Sequence, residues 1–414
     1  MPSGDQRSDG PGEPLATVAA LTAIGGRAPG TDAERRAARL LAAQLEALGR
    51  EPDTETAWVR PQWALAHALA LALAVAGSLL AGAAPWPGFA LVLAATLALG
   101  LDLAGRPSPL RWATQRRATQ NVVAPPPGGR RPVTLVLTAS YDAGRTGLAG
   151  RRWARAAAGR LPRPYLLVLG ALALLAVFVA VRALDGTPPG WLGIAQVVPT
   201  ALAAAGAAVL VDLALSPVGP AANDNATGTA AVLALAAALD RAPPEHLAVE
   251  VVLAGAGEGP ALGMRAYVAA RRRSVAPESV AVLNLAACGR GELRWWTSDG
   301  PLLPLPFHPA LIAACERAAM ADPALGAAPF RGRGTSGARP ARVARWPAIT
   351  VGCVGPRGHP PGSHTLGDLP GEIDDAVIAR TVEFCLAVIA ELDAAVGSGS
   401  SSSSAGPGPN TPNT

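Results

Sequence analysis

Thr134-Leu135-Val136-Leu137-Thr138-Ala139-Ser140-Tyr141-Asp142 is a short, mostly β-branched and apolar run that ends on an acid. Residues 132–139 read as a buried strand. Runs of the same kind recur at 247–254, 279–285 and 348–353. Helical patterns at 226–239, 308–319 and 376–392 alternate with them. Such alternation predicts an α/β domain with a mostly parallel central sheet covered on both faces, a three-layer sandwich. Upstream, residues 31–48 form an amphipathic helix: Thr31 and Glu34 have capping-box spacing, and Gly49 can end it. Leu40, Leu41, Leu45 and Leu48 share its apolar face.

Four long apolar stretches interrupt this domain, at 64–84, 87–103, 165–181 and 191–211. Each approaches the ~20 residues a helix needs to cross a hydrocarbon core. They form two hairpins, and Trp63, Trp86, Tyr165 and Trp191 stand at their ends, where amphipathic rings prefer the interface. Composition agrees: 50% of residues are hydrophobic and only 16% charged, against about a quarter in soluble domains. His67 lies inside the first span, near its end. The hairpin tips are almost uncharged, whereas Arg60, Arg106, Arg111, Arg116, Arg117, Arg155, Arg160 and Arg163 flank the other ends. By the positive-inside rule the soluble segments face the cytoplasm.

The expected organisation is therefore a polar, disordered 1–14 with no cleavable signal peptide, and a helical part of the soluble domain at 15–60. Hairpins at 61–105 and 164–215 enclose strands and a basic segment at 106–163. The rest of the soluble domain occupies 216–396, and a disordered Gly-Ser-Pro-Asn tail occupies 397–414. All 35 basic residues are Arg, which with abundant Ala, Gly and Pro suggests a GC-rich bacterial genome. The expected place is the bacterial cytoplasmic membrane. Six Arg in 145–163, just before a span, read as a patch for anionic lipid headgroups. No basic stretch is interleaved with stacking aromatics, which argues against nucleic acid. Cys288, Cys315, Cys353 and Cys385 form no Cys-x-x-Cys pair, so a zinc ribbon is unsupported.

Several segments, in order, carry a resemblance: Gly25-Gly26-Arg27-Ala28-Pro29-Gly30 before the capped helix, Gln120-Asn121-Val122-Val123-Ala124, and 134–142. Next come Ala222-Asn223-Asp224-Asn225-Ala226-Thr227-Gly228, Gly255-Ala256-Gly257-Glu258 with Gly263-Met264-Arg265-Ala266-Tyr267, Asn284-Leu285-Ala286, and Ser363-His364-Thr365 with Asp368. Together they resemble the co-catalytic zinc aminopeptidases, metallopeptidase family twenty-eight, whose relatives include bacterial leucyl aminopeptidases and glutaminyl cyclases. Any one motif is weak; the ordered set covers nearly all the soluble sequence.

That resemblance implies two zinc ions held by carboxylates and imidazoles, a shared water, and a further carboxylate that takes the water's proton. Asp224 matches the bridging Asp, Glu258 the liganding Glu and His364 the terminal His. Ser140 stands where the first His ligand belongs, Ala286 where an Asp ligand belongs, and Gly257 where the general-base Glu belongs. Asp142 matches the acid that orients the first His, and is the one nearby substitute acid. The surviving trio is the ligand set of one zinc, with water as fourth ligand. The implied protein is a pseudopeptidase with weak or no hydrolysis, which holds a peptide or membrane-associated ligand. The alternatives are an active single-zinc enzyme and a membrane scaffold. Taken singly, Asp224 also reads as a helix N-cap, His364 as a hydrogen-bonded surface histidine and Glu258 as a solvated loop acid. In open sheets sites lie beyond the carboxyl ends of strands, which puts this cleft close to the membrane.

Overall fold

The computed structural model describes residues 13–129, 131–150, 163–185 and 190–404. The expected disorder of 1–12 and 405–414 falls outside these residues, as do Arg151, Arg152, Arg155 and Arg160 of the basic segment.

Nine strands form one sheet: β1 (Asp53–Val59), β2 (Arg117–Ala124), β3 (Val133–Ser140), β4 (Leu247–Ala254), β5 (Val280–Leu285), β6 (Glu292–Asp299), β7 (Leu305–Pro306), β8 (Ala328–Arg331) and β9 (Ala348–Val354). Their order is β1-β2-β4-β3-β5-β9-β6-β7, with β8 beside β6. The centre, β4-β3-β5-β9, is parallel. The flanks are mostly antiparallel: β2 runs antiparallel to β4, β1 to β2, β6 to β9 and β7 to β6, while β8 runs parallel to β6. The mostly parallel sheet expected above is thus a parallel centre within a mixed sheet. Continuous apolar runs mark strands buried on both faces. The flanking strands alternate or carry charge, as in Asp-Thr-Glu-Thr-Ala-Trp-Val of β1, and escape that reading.

Alternate residues of the central strands feed two cores. Leu135, Leu137, Val249 and Val251 pack with Leu41, Leu45 and Phe384 on one face. Val136, Val252 and Val282 pack with Met264, Tyr267 and Trp346 on the other. The period of two puts successive side chains on opposite faces, and helices cover both, which gives the three layers.

Helix Asp32–Ala47 begins at Thr31, whose hydroxyl accepts from Glu34 N. Glu34 does not return the bond to Thr31. Its carboxylate instead takes Thr119 Oγ1, Ala256 N and Gly30 N, so it ties the helix to the sheet. Helix Asp375–Ser404 runs past Gly397, where a structureless tail was expected. Ser398 bonds back to Ala395 O. Asp393, one turn earlier, receives Glu245 N and His246 N, which anchors the helix end.

Among the described residues four helices are long and apolar enough to cross a membrane: Trp63–Leu80, Pro85–Leu103, Pro164–Asp185 and Gly190–Leu215. They pack as one bundle around Leu71, Val92, Leu99, Leu172, Leu175 and Val179. Ser78 Oγ meets Thr200 Oγ1 at 2.7 Å, and Gln196 Nε2 donates to Ser78 O at 2.8 Å, which pins the two hairpins together. The outward residues Leu79, Ile194, Val197, Val198, Leu202 and Leu215 are exposed, an apolar surface of the kind lipid would cover.

Candidate active-site cleft

Register brings the carboxyl ends of the central strands side by side. Ser140 of β3 pairs with Ala254 of β4, and Thr138 pairs with Asn284 of β5. The loops that follow therefore gather Asp142, Gly257–Glu258 and Ala286 at one end of the sheet. They open on a cleft of about 400 Å³ whose lining includes Ser140, Asp142, Asp224, Gly257, Glu258, Ala286 and His364. All seven positions singled out from the sequence meet there.

Asp142 is buried, and its two oxygens are used. Oδ1 accepts from Gly257 N at 2.7 Å and Oδ2 from Glu258 N at 2.9 Å. Its client is the loop that carries Glu258, in place of the missing histidine. Burial, then the nearby Glu34 and Glu258 carboxylates, push its pKa up to about 8 against those two donors.

Asp224 sits in the Ala222–Thr227 segment ahead of helix Gly228–Arg241. Asp368 fixes that segment by accepting Asn223 N at 2.8 Å and Asp224 N at 3.1 Å. Burial raises the Asp368 pKa to about 6. Asn225, joined to Asp224 by a cis peptide, donates to Ser140 O and Leu285 O. One side chain thus bridges the ends of β3 and β5 beneath the cleft.

His364 adopts a left-handed backbone, φ +55°. Its Nδ1 lies 3.0 Å from Arg145 O, and its Nε2 lies 3.7 Å from Glu258 Oε1. Gly144 makes room for this pair: a side chain there would meet His364 Nδ1 at 2.7 Å and Glu258 Oε2 at 2.8 Å. Burial raises the Glu258 pKa; His364 draws it down and Asp224 pushes it up. Asp, Glu and His are zinc donors by chemistry. As packed, His364 and Glu258 approach each other, but among the described residues no three His, Cys, Asp or Glu side chains converge as a metal-binding group. The donor types fit zinc; the placement is not that of a preformed ion site.

Gly257 has no space for the missing acid. A Cβ there would overlap Ser140 Cβ and come within 2.7 Å of Ser140 Oγ. The serine and the glycine therefore fill one gap together.

One wall of the cleft comes from the apolar helices and the turn after them: Trp63, His67, Asp102, Leu103, Arg111 and Tyr165. His67 Nε2 lies 2.7 Å from Asp102 Oδ2, and Arg111 grips the same carboxylate through Nε and Nη2, each at 2.8 Å. Sequence reading singled out His67 alone, near a span end; an acid late in the neighbouring apolar helix was the signal for its partner. Arg265 and Arg339 also line the cleft. Arg265 was visible only as part of a motif, and nothing in the sequence placed Arg339 beside it. Of the 145–163 segment, Arg145 is described: its side chain donates to Ser216 O at 2.6 Å while its carbonyl holds His364.

A central sheet with the site at its carboxyl ends, walled by loops bearing Asp, Glu and His, resembles the fold of zinc exopeptidases. The chain resembles peptidase family M28, whose model matches residues 209–389. No curated protein matches. A glutaminyl cyclase of Bacteroides thetaiotaomicron bound to N-acetylhistamine is 15% identical, with TM-score 0.54 over 92% of this chain and 97% of that one. BSAP, a zinc aminopeptidase from Bacillus subtilis, is 14% identical, with TM-score 0.55 over 93% and 95%. A glutaminyl cyclase of Fimbriiglobus ruber is 14% identical, with TM-score 0.54 over 94% and 98%. At these identities the likeness is one of fold.

Proposed function

We propose that this chain is a membrane-anchored, aminopeptidase-like protein of the bacterial inner membrane that binds peptide-like ligands in the cleft and hydrolyses them weakly or not at all. The observation that carries the reading is the gap at Ser140 and Gly257. The positions matching a metal ligand and the general base hold two small residues packed against each other, with no room for a side chain at Gly257. Losing a general base costs about 10²–10⁴ in rate. Ala286 removes a further ligand of the second metal. Asp224, Glu258 and His364 remain as the candidate set for one zinc ion, which would supply Lewis acidity toward a bound carbonyl. The protein's own contribution is to hold the ligand: Asp142 fixes the Glu258 loop, and Asp368 and Asn225 fix the Asp224 segment.

Four long apolar helices with outward-facing Leu, Ile and Val support the anchor, and the flanking Arg residues support a cytoplasmic soluble domain. The Arg145 side chain is spent within the fold, so an anionic-lipid patch rests on the remaining Arg of 145–163.

A second reading, an active single-zinc aminopeptidase or glutaminyl-cyclase-like enzyme, is favoured by one observation. Asp142 lines the cleft with a pKa near 8, in the range a general base needs. Against it, both Asp142 oxygens already accept backbone N–H groups.

The test is elemental mass spectrometry of the detergent-purified full chain, paired with turnover of aminoacyl anilides and of N-terminal glutaminyl peptides. The expected outcome is turnover at or near background, with at most one zinc per chain under metal-replete conditions. One zinc per chain, lost with turnover in Asp224→Ala, would install the second reading instead.

A further inference from the structure

The cleft has two electrical poles. Asp224 and Glu258 line one part of it; Arg265 and Arg339 line another, with Arg333 exposed among the same lining residues. Arg265 belongs to helix Leu262–Arg271, and Arg339 opens the short helix Arg339–Val343. Both guanidinium groups reach the same point beside Gly105, two residues beyond helix Pro85–Leu103. A side chain on Gly105 would meet Arg265 Nη2 at 2.5 Å and Arg339 Nη1 at 3.5 Å.

Among the described residues neither arginine has an ion pair or a side-chain hydrogen bond, and Arg339 Nε is buried without a partner. Neighbouring acids are already committed. Asp102 receives His67 and both arms of Arg111. Asp299 accepts Gly300 N and Ser336 N. Burial, then the adjacent Arg339, pull the Arg265 guanidinium below its ordinary value. Two half-buried like charges repel, and Asp102 near Arg265 and Asp299 near Arg339 offset their lost hydration only in part. A carboxylate between them would relieve both costs through charge-assisted bonds, which the planar guanidinium fork suits.

We propose that Arg265 and Arg339 form a carboxylate subsite and that the cleft's ligand is a short peptide with a free C-terminus. Its amine faces the acidic pole and its carboxylate sits on the arginine pair. A dipeptide is itself bipolar and matches this arrangement. A lipid phosphate has the right charge, but a cleft of about 400 Å³ takes a short peptide whole, whereas it takes only the headgroup of a phospholipid. The inference names the ligand class of the proposed peptide site and rests on that reading.

The experiment is calorimetric titration of the full chain in neutral detergent with Leu-Leu and with Leu-Leu amide. At least about tenfold tighter binding of the free acid is expected, since a charge-assisted pair is worth about 1.5–3 kcal/mol. R265Q/R339Q should reduce the acid to the affinity of the amide, and R265K/R339K should keep part of the preference. Equal affinity of acid and amide overturns the carboxylate subsite while leaving the peptide site standing. No binding of either removes both. An acid preference that survives R265Q/R339Q also overturns the assignment. So does arginine-dependent binding to phosphatidylglycerol nanodiscs, over phosphatidylcholine ones, without acid selectivity among peptides. Should the glutamine variant misfold, the wild-type comparison and the lysine variant decide.

Discussion

Single residues in this cleft have taken work that differs from the work their positions suggest. Asp142 binds a loop where a histidine was expected, and Asn225 ties two strand ends. Arg27, inside an opening motif that reads as a glycine-rich turn, is almost fully buried and donates to Tyr141 O, Pro220 O and Ala221 O. Burial brings its pKa down to about 10, which leaves it charged at neutral pH. Gly257 is the residue whose chemistry is simplest to test. Adding the acid by Gly257→Glu is expected to yield no turnover, because the new Cβ collides with Ser140. It should also cost about 1–3 kcal/mol, the usual penalty of overpacking. The double variant Ser140→Gly/Gly257→Glu removes the colliding Cβ and should recover most of the urea midpoint. A single variant as stable as wild type would show that the loop has room to move.

At the scale of elements, the first hairpin depends on two glycines. A Cβ on Gly77 would meet Gly88 O at 2.7 Å, and one on Gly88 would meet Gly77 O at 2.6 Å. The helices Trp63–Leu80 and Pro85–Leu103 thus approach backbone to backbone, and small residues at such a contact are what permits it. Gly77→Val should force them apart and lower the melting temperature in detergent by several degrees. Gly100→Val, where an added side chain meets nothing, is the control and should move it little. Equal effects would refute the close contact. The same hairpin carries Asp102 and His67 to the cleft wall, so its geometry bears on the site as well as on the helix bundle.

For the whole molecule, the soluble domain and the hairpins share the cleft, which makes topology a functional matter. The proposed orientation, argued from the Arg-rich flanks, has the domain and its cleft in the cytoplasm. In spheroplasts, added protease should leave a C-terminal epitope tag intact until the membrane is permeabilised. Removal of the tag from outside would reverse the orientation and present the cleft to extracytoplasmic peptides.

The sequence alone determined much of this protein. Apolar runs located the four central strands, because strands buried on both faces have no polar side to hide. Length and hydropathy located the four long helices, and ordered motifs located Asp224, Glu258, His364 and the replaced Ser140, Gly257 and Ala286. Those signals are local, or depend only on order along the chain. Tertiary structure decided what depends on approach between distant segments. Antiparallel flanks such as β1 and β6 were not legible because their sequences mix polar and apolar residues and their partners lie far along the chain. Arg265 and Arg339, 74 residues apart, become neighbours only when Gly105 lets them converge. Asp142 became a loop holder because the backbone N–H groups of Gly257 and Glu258 fold onto it. A buried carboxylate must find donors, and which donors it finds is settled by packing.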